Sequence, residues 1–574
     1  MKFRWSVAPA QPALAAELVA ALKISPLLAQ CLLNRGFVEP ALISDFLEPR
    51  LRSLADPFLL PNMAAAIDRL FQARNQRERV VIFGDYDVDG VTSTALLLEV
   101  LRGLGWTVDA YLPHRMDEGY GLSREAVENC LRKFPVTLLL AVDCGSTTAE
   151  SIAWLQQRGV DVIVLDHHQV STPAPAALAL VNPQLCQTGE VAFSELCSAG
   201  LAFKLAHALV KRGRETGLPG AVEFDLRPLL DLVALGTIAD IVPLTGENRI
   251  LVSAGLERLN STERPGLVAL KKIAQCPATL GPFEVGFQLA PRLNAAGRLE
   301  TAESALHLLL ADDPAVAASL VRDLDACNRE RQNLERGIAE EATAVVRASF
   351  KPETDFVIVE GRASWHIGVV GIVASRVLQR FYRPTIIVGG EGEEWRGSGR
   401  SIAGFDLAAA LRDCGDLLVR HGGHAMAAGL AILPGKLEAF RVRLNEVARR
   451  ALNPELLQPV LRLDGEVILQ DLTLECLAQL ARLRPAGQGN PLPQFFVRNV
   501  SHQRPLQRMG ADKQHVKMWL ADGRQSHEAV WWNAAEQSPP TDRFDLAFTP
   551  QINDYNGRRT MQLKVLDWRA SANQ

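Results

Sequence analysis

The sequence predicts an α/β architecture, with two α/β lobes joined by a long helix and followed by a small all-β domain. Three observations carry this. From about residue 80, short runs of branched apolar residues alternate with helical stretches, the pattern of a buried parallel sheet. Residues 311–349 are rich in Ala, Leu, Arg and Glu and poor in breakers, as one long helix would be. After Asn453-Pro454 the texture changes to short alternating segments divided by turns such as Asp522-Gly523, the signature of a small barrel or sandwich.

Taken in order, residues 1–60 read as an N-terminal extension and 61–310 as the first α/β domain. Its strands are expected at 80–83, 108–112, 137–142 and 160–165, with a helix at 92–104 between the first two and a helical stretch at 200–260. Residues 311–349 are the connector. The second α/β domain, 350–453, opens with an apolar run at 356–359 and holds another at 385–388, with glycine-rich segments at 397–404 and 421–429. Residues 454–574 form the β domain, with strands expected at 514–520, 528–532, 544–548 and 560–565.

A chain of 574 residues is too long for one hydrophobic core. Hydrophobic residues make up 48% and charged residues 22%, the balance of an ordinary globular protein. The formal net charge of -4 excludes a polycation, so any nucleic-acid site must be a local basic groove. Nine scattered cysteines without a C-x-x-C pair read as reduced thiols of a cytoplasmic protein and not as a disulfide framework. The apolar N-terminal stretch carries Glu17 and reads as a small helix rather than a signal peptide. The most apolar run, 229–244, is interrupted by Asp231, Asp240 and Pro243, so no membrane span is expected.

The acids carry the chemistry. The first strand runs into Gly84-Asp85-Tyr86-Asp87-Val88-Asp89-Gly90, the third ends in Asp143, and the fourth ends in Asp166-His167-His168. In an open parallel sheet the site lies beyond the carboxyl ends of the strands, so these groups should converge on one edge. Like charges about 4 Å apart repel by about 1 kcal/mol even in water. A cluster of five therefore needs shifted pKa values or bound cations. Oxygen and imidazole donors suit Mn²⁺, Mg²⁺ or Zn²⁺, and the lack of thiolate partners argues against a structural zinc site. Two cations about 3.5–4 Å apart would activate a water and clamp a phosphoryl oxygen. An EF-hand reading of D-x-D-x-D-G fails, because its twelfth position, counted from Asp85, is Leu96 rather than Glu. A single strand-end Asp is commonly only a helix cap, but here acids stand at three strand ends.

In combination and in order, GDYDVDG at 84–90, AVDCG at 141–145, DHH at 166–168 and GTIAD at 236–240 resemble the motifs of the DHH phosphoesterase superfamily. The resemblance implies that Asp87, Asp89, Asp143, His167 and Asp240 hold two ions, Mn²⁺ or Mg²⁺, with Asp143 as the bridge. By the same resemblance His168 would touch the phosphate or the second metal, and Asp85 and Asp166 would stand behind the ligands. Phe83 occupies a place where pyrophosphatases of the superfamily have a metal-binding His. Spacing alone reads Asp240 only as a capping acid. Residues 364–376, 397–401 and 421–429 are similar to a DHHA1 domain. There Gly beside Ser398 and Arg400 lets a guanidinium approach a phosphate closely, with His424, His421 and Trp365 as further candidates; tight turns and close helix packing would explain the same glycines.

The segments PHRMDEGYGL at 113–122 and PRLNAAGRL at 291–299, with the β domain, extend the resemblance to the exonuclease branch of the superfamily. It implies a C-terminal OB fold and 5′ to 3′ hydrolysis of single-stranded DNA to 5′ mononucleotides, in DNA repair and recombination. A single strand would thread between the lobes. Arg298, Ser398 and Arg400 would hold its terminal 5′ phosphate, and Arg115 a neighbouring one. Among the β-domain aromatics Phe495, Phe496, Trp519, Trp531, Trp532, Phe544, Phe548, Tyr555 and Trp568, alternation should bury most, leaving a third or fewer to contact DNA. Single-strand-binding protein and a helicase are the protein partners to consider, and a monomer is expected. The competing readings are a phosphodiesterase for short oligonucleotides or small nucleotides, a non-catalytic single-strand-binding scaffold, and an OB-fold binding protein whose lobes are merely structural.

Overall fold

The computed structural model describes residues 3–571 apart from 116, 120, 187–192, 535, 536 and 556. Two compact units emerge. One contains Ala41–Arg329 with Leu483–Leu492; the other contains Met1–Pro40, Glu330–Arg482 and Pro493–Gln574. The connector is one helix, Pro314–Ser349, of 36 residues, and the division falls within it.

The second unit begins with a strand of its own, β1 (Arg4–Val7). The sheet of the first unit follows in sequence: β2 (Arg79–Phe83), β3 (Thr107–Tyr111), β4 (Leu138–Val142), β5 (Asp161–Leu165) and β6 (Ala179–Val181). All pair in parallel, in the order β3-β2-β4-β5-β6. Successive side chains of a strand face opposite sides, and here both sides are covered. Val80, Ile82, Leu138 and Leu140 join a core with the helices Val88–Gly103, Ser198–Thr216 and Leu230–Ala239. Val81, Phe83, Leu139 and Ala141 face the helices Arg124–Lys133 and Ala149–Gln156. Double-sided burial explains why the strands read as continuous apolar runs rather than alternating ones. The chain leaves β2 toward β3 on one side and returns to β4 on the other. The crevice at the carboxyl ends of β2 and β4 is thus a topological switch point, where open α/β sheets bind their ligands.

In the other unit, β7 (Ile358–Arg362), β8 (Thr385–Gly389), β9 (Trp395–Arg400), β10 (Arg420–Gly423) and β11 (Ala427–Ile432) form a mixed sheet in the order β10-β11-β9-β8-β7. Only β7 and β8 are parallel. The strand β12 (Val460–Leu463) pairs in parallel with β1, so the N-terminal segment is tied to the chain leading into the β domain. That domain comprises β13 (Gly465–Glu466), β14 (Phe495–His502), β15 (Gln507–Met509), β16 (His515–Ala521), β17 (Ser526–Trp531), β18 (Phe544–Tyr555) and β19 (Arg558–Ala570). The order β14-β18-β19-β17-β16 closes on itself through a further β14–β16 pairing, which makes a five-stranded barrel. Closure removes the open edges that a sheet of this size would otherwise expose.

Among the described residues no single helix is long and apolar enough to cross a membrane, and no two cysteines form a disulfide.

One buried cation organises the first unit. Arg249 is 2% exposed, and its guanidinium donates to the carbonyls of Phe46, Leu483 and Arg484 at 2.7–2.9 Å. It thereby seats the segment Leu483–Leu492, whose Gln488 carbonyl accepts from the Leu244 amide. A buried acceptor left without its donor costs about 1–3 kcal/mol. Arg249→Met, with three such carbonyls, should lower the free energy of unfolding by roughly 2–5 kcal/mol, read as a fall in the urea midpoint; an unchanged midpoint would show the carbonyls to be otherwise satisfied.

Candidate metal centre

The turn after β2 places three carboxylates within five residues. Asp87 caps the Val88–Gly103 helix, its Oδ1 accepting from the amides of Asp89 and Gly90 at 2.9 and 3.2 Å. Capping leaves Oδ2 for other work, so the cap and ligand readings of this residue coexist. A second helix, Ala290–Leu299, braces the turn. Asn294 Oδ1 accepts from the Val88 amide at 3.0 Å, and a Cβ on Gly297 would stand 2.6 Å from the Tyr86 carbonyl. Only glycine allows this approach, which accounts for Gly297 in PRLNAAGRL.

Asp143 follows β4 with a φ of 64°, the left-handed region that side chains other than glycine rarely adopt. Such strain of about 1–3 kcal/mol persists only where the surroundings over-determine it, and it clusters at functional sites. Asp166 follows β5 and is fully engaged. Its Oδ2 accepts from the Ser146 amide, and its Oδ1 accepts from the amides of His167 and His168 and contacts His168 Nδ1 at 2.7 Å. The fourth carboxylate region is the C-terminal end of the Leu230–Ala239 helix, where Asp240 precedes Ile241, a β-branched residue with a φ of 63°.

These groups meet. His167 Nε2 lies 3.5 Å from Asp143 Oδ1, 3.5 Å from Asp240 Oδ2 and 3.9 Å from Asp89 Oδ2. Three triads offer ligand atoms within 4.8 Å of one another: Asp143, His167 and His168; Asp89, His167 and Asp240; and Asp85, Asp87 and Asp143. Asp143 is common to two of them, as is His167. Asp85, read from the sequence as standing behind the ligands, belongs to a triad itself. Phe83 stays in the core, stacked on Tyr111.

Two buried atoms in this cluster, His167 Nε2 and Asp85 Oδ1, have no hydrogen-bond partner. Orphaned polar atoms of this kind are rare in native proteins and call for a missing partner. Facing lone pairs of carboxylate and imidazole fit a hard or borderline divalent cation. Without cations the charges are costly. Burial and the neighbouring carboxylates push Asp85 and Asp143 far above the usual carboxylate range, and burial raises Asp89 although His167 opposes it. Asp240 is pushed up to about 9 by burial and by Asp89 and Asp87. Burial holds His167 down. Burial also disfavours charged His168, but the Asp166 hydrogen bond and charge prevail and raise it to about 9.

The proposed phosphate-binding residues are divided between the two units. In the first unit the Arg115 guanidinium lies 5.0 Å from the centre of the Tyr86 ring, beside the acidic turn; Met116 and Tyr120 of the same segment lie outside the described residues. Arg298 acts on Tyr86 electrostatically from the brace helix. In the other unit Ser398 and Arg400 share a face of β9, with Arg400 Nη1 donating to Ser398 Oγ at 2.9 Å. A Cβ on Gly371 would come within 3.0 Å of both side chains, so that glycine makes room for them. His424 and His421 are exposed. Trp365 requires a correction: it is 2% exposed, packed among Val369, Val373 and Ile387, and its indole N–H donates to Glu341 at 2.6 Å. A ring so enclosed is a core residue and not a nucleotide contact.

In the barrel, Phe495, Phe496, Trp531, Phe544 and Phe548 are buried, Trp519 and Trp568 are half-buried, and Trp532 is exposed at 45%. The side chain of Tyr555 lies outside the described residues. Trp519 carries Arg504 and Lys517 within 5.4 and 5.1 Å of its ring, the basic-aromatic pairing that suits a stacked base beside a phosphate.

A pH dependence follows for the metal-free protein. The folded pKa of Asp240 and of His168 is raised, so the stability each contributes is complete below its unfolded pKa and is lost as pH rises toward about 9. The thermal midpoint in excess EDTA should fall between pH 7 and pH 9, and added Mn²⁺ should restore more stability at pH 9 than at pH 7. A midpoint that rises with pH would contradict this assignment.

The comparisons with known proteins agree in their order along the chain. Residues 79–237 match the DHH family, N-terminal domain; residues 354–450 match the DHHA1 domain; residues 463–567 match the RecJ OB domain. The single-stranded-DNA-specific exonuclease RecJ of Bacillus subtilis (strain 168) is 39% identical over 573 residues, 99% of this chain and 71% of that protein. The RecJ of Escherichia coli (strain K12) is 34% identical, with 95% and 96% of the two chains covered. Crystal structures of RecJ from Thermus thermophilus superpose with TM-scores of 0.85 in complex with Mn²⁺ and 0.79 in complex with Mg²⁺, at 33% and 32% identity; each covers 99% of this chain and about four-fifths of the other. With its three domain types in order and its likeness to these relatives running nearly end to end, the chain belongs to the RecJ family.

Proposed function

We propose that this chain is a metal-dependent exonuclease that hydrolyses single-stranded DNA in the 5′ to 3′ direction to 5′ mononucleotides, in DNA repair and recombination. The observation that carries the reading is the meeting of Asp85, Asp87, Asp89, Asp143, His167, His168 and Asp240 at the switch point of a parallel sheet, in a chain of the RecJ family. Relatives named as single-stranded-DNA-specific exonucleases, and RecJ crystal structures in complex with Mn²⁺ or Mg²⁺, support it.

Asp87, Asp89, Asp143, His167 and Asp240 would hold the ions, with Asp143 shared between them. A bound pair of divalent ions supplies an activated water and neutralises charge developing on the phosphoryl oxygens. The remaining roles belong to the protein. Asp166 fixes the Nδ1 side of His168, which keeps that imidazole cationic near neutrality and suited to an anionic phosphodiester. Arg115 and Arg298 offer guanidinium groups beside the acidic turn. On the other unit Ser398 and Arg400, with His424 nearby, are the donors we assign to a terminal 5′ phosphate. In the barrel, Trp519 and Trp532 are the rings we assign to base stacking. We place the protein in the cytoplasm, acting as a monomer on strands that a helicase and single-strand-binding protein present.

Two measurements test this. Purified protein should release labelled mononucleotide from the 5′ end of a single strand with Mn²⁺ or Mg²⁺, spare blunt duplex, and fall silent in EDTA; Asp143→Ala should cost roughly 10³-fold or more, the several kcal/mol such sites supply. Undiminished hydrolysis in chelator would end the reading, and turnover confined to dinucleotides would favour a short-oligonucleotide phosphodiesterase. Separately, Arg400→Ala should erase about 10–100-fold of any preference for a 5′-phosphorylated over a 5′-hydroxyl strand, the 1.5–3 kcal/mol of a charge-assisted hydrogen bond. Retention of that preference would remove Arg400 from the phosphate site.

A further inference from the structure

We infer that Ser198 is a positioning residue of the metal centre, acting through the carboxylate of Asp143. The inference rests on the metal-centre reading above and assigns a role to a residue that no motif contains. Ser198 is fully buried at the start of the helix Ser198–Thr216. Its Oγ donates to Asp143 Oδ1 at 2.9 Å. Its amide donates to Asp89 Oδ2 at 2.7 Å, and the next amide, of Ala199, donates to Asp89 Oδ1 at 2.8 Å. One helix terminus thus grips both oxygens of one carboxylate and one oxygen of another.

The two grips differ chemically. The amides hold Asp89 whatever side chain stands at 198. The hydroxyl alone reaches Asp143, the acid common to two of the three triads. Asp143 sits on a left-handed backbone, and its Oδ1 is also 3.5 Å from His167 Nε2. A carboxylate rotates freely about its last bond unless something stops it. The Ser198 hydrogen bond stops it, occupying one lone pair of Oδ1 and directing the remaining lone pairs toward the triads. Groups that orient ligands in this way typically govern metal affinity or activity by 10–100-fold when removed.

The test is Mn²⁺ uptake by DNA-free protein, followed by loss of the free-ion electron paramagnetic resonance signal. We compare wild type, Ser198→Ala and Ser198→Gly, which both delete the hydroxyl and keep the amides. Both variants should require about tenfold more Mn²⁺ for half-saturation. At saturating Mn²⁺ the KM for a long single strand should stay within about twofold of wild type while kcat falls. Wild-type uptake by either variant overturns the inference, whether or not the metal-free melting temperature drops, because the hydroxyl then serves packing alone. Wild-type protein that takes up no Mn²⁺ would instead overturn the metal-centre reading itself.

Discussion

Mutual repulsion among buried carboxylates is the constraint on which the catalytic unit turns. Asp85, Asp89 and Asp143 are each about 2% exposed or less, and Asp87 and Asp240 stand beside them. Water is excluded, so neither solvation nor distance relieves the charge. The fold supplies partial relief from three directions. Backbone amides of the Val88 helix hold Asp87, the start of the Ser198 helix holds Asp89 and Asp143, and Asp166 stabilises charge on His168. What these leave uncompensated, at His167 Nε2 and Asp85 Oδ1, has the donor chemistry that suits divalent cations. The strained backbone at Asp143 and Ile241 belongs to the same arrangement, since both residues sit where a strand or helix must turn sharply to present an acid.

Much of this was legible before the structure. The apolar runs at 80–83, 137–142 and 160–165 are strands because both faces of the sheet are covered, and the acids follow them because strand ends in an open sheet face the crevice. Asp85, Asp87, Asp143 and the DHH triplet could be read from that rule alone. Asp240 could not: it ends a helix, and only its motif pointed to the cluster. Ser198 and Asn294 were invisible for a different reason. The side chain of each makes its hydrogen bond across more than fifty residues of sequence, and nothing in spacing encodes such a partner. Trp365 failed in the opposite way. A tryptophan beside glycines and a histidine has the composition of a binding loop, yet the pattern cannot say which way the ring faces. Its indole N–H found Glu341, and a Trp with its one donor satisfied can be buried at little cost.

The barrel illustrates how far composition reaches. Its acidic and basic residues nearly balance, so net charge does not advertise a nucleic-acid surface. Pairing of β14 with β16 closes the sheet; alternation along β14 then puts Phe495 and Phe496 on opposite sides, and Phe496 is buried from without, against Trp5, Leu461 and Leu463. Trp519 stays half-buried, with two cations beside its ring.

The seat of Arg249 has a consequence for the order in which the molecule is made. Its guanidinium is shut inside the unit formed mainly by Ala41–Arg329, yet the carbonyls of Leu483, Arg484 and Pro485 that surround it are encoded more than two hundred residues later. While the ribosome is still working through the second α/β domain, the nascent first unit lacks both those acceptors and the segment that encloses the guanidinium. Translation of the loop that leads into the barrel completes the cradle, so the catalytic half, although first to emerge, is among the last parts of the chain to be finished.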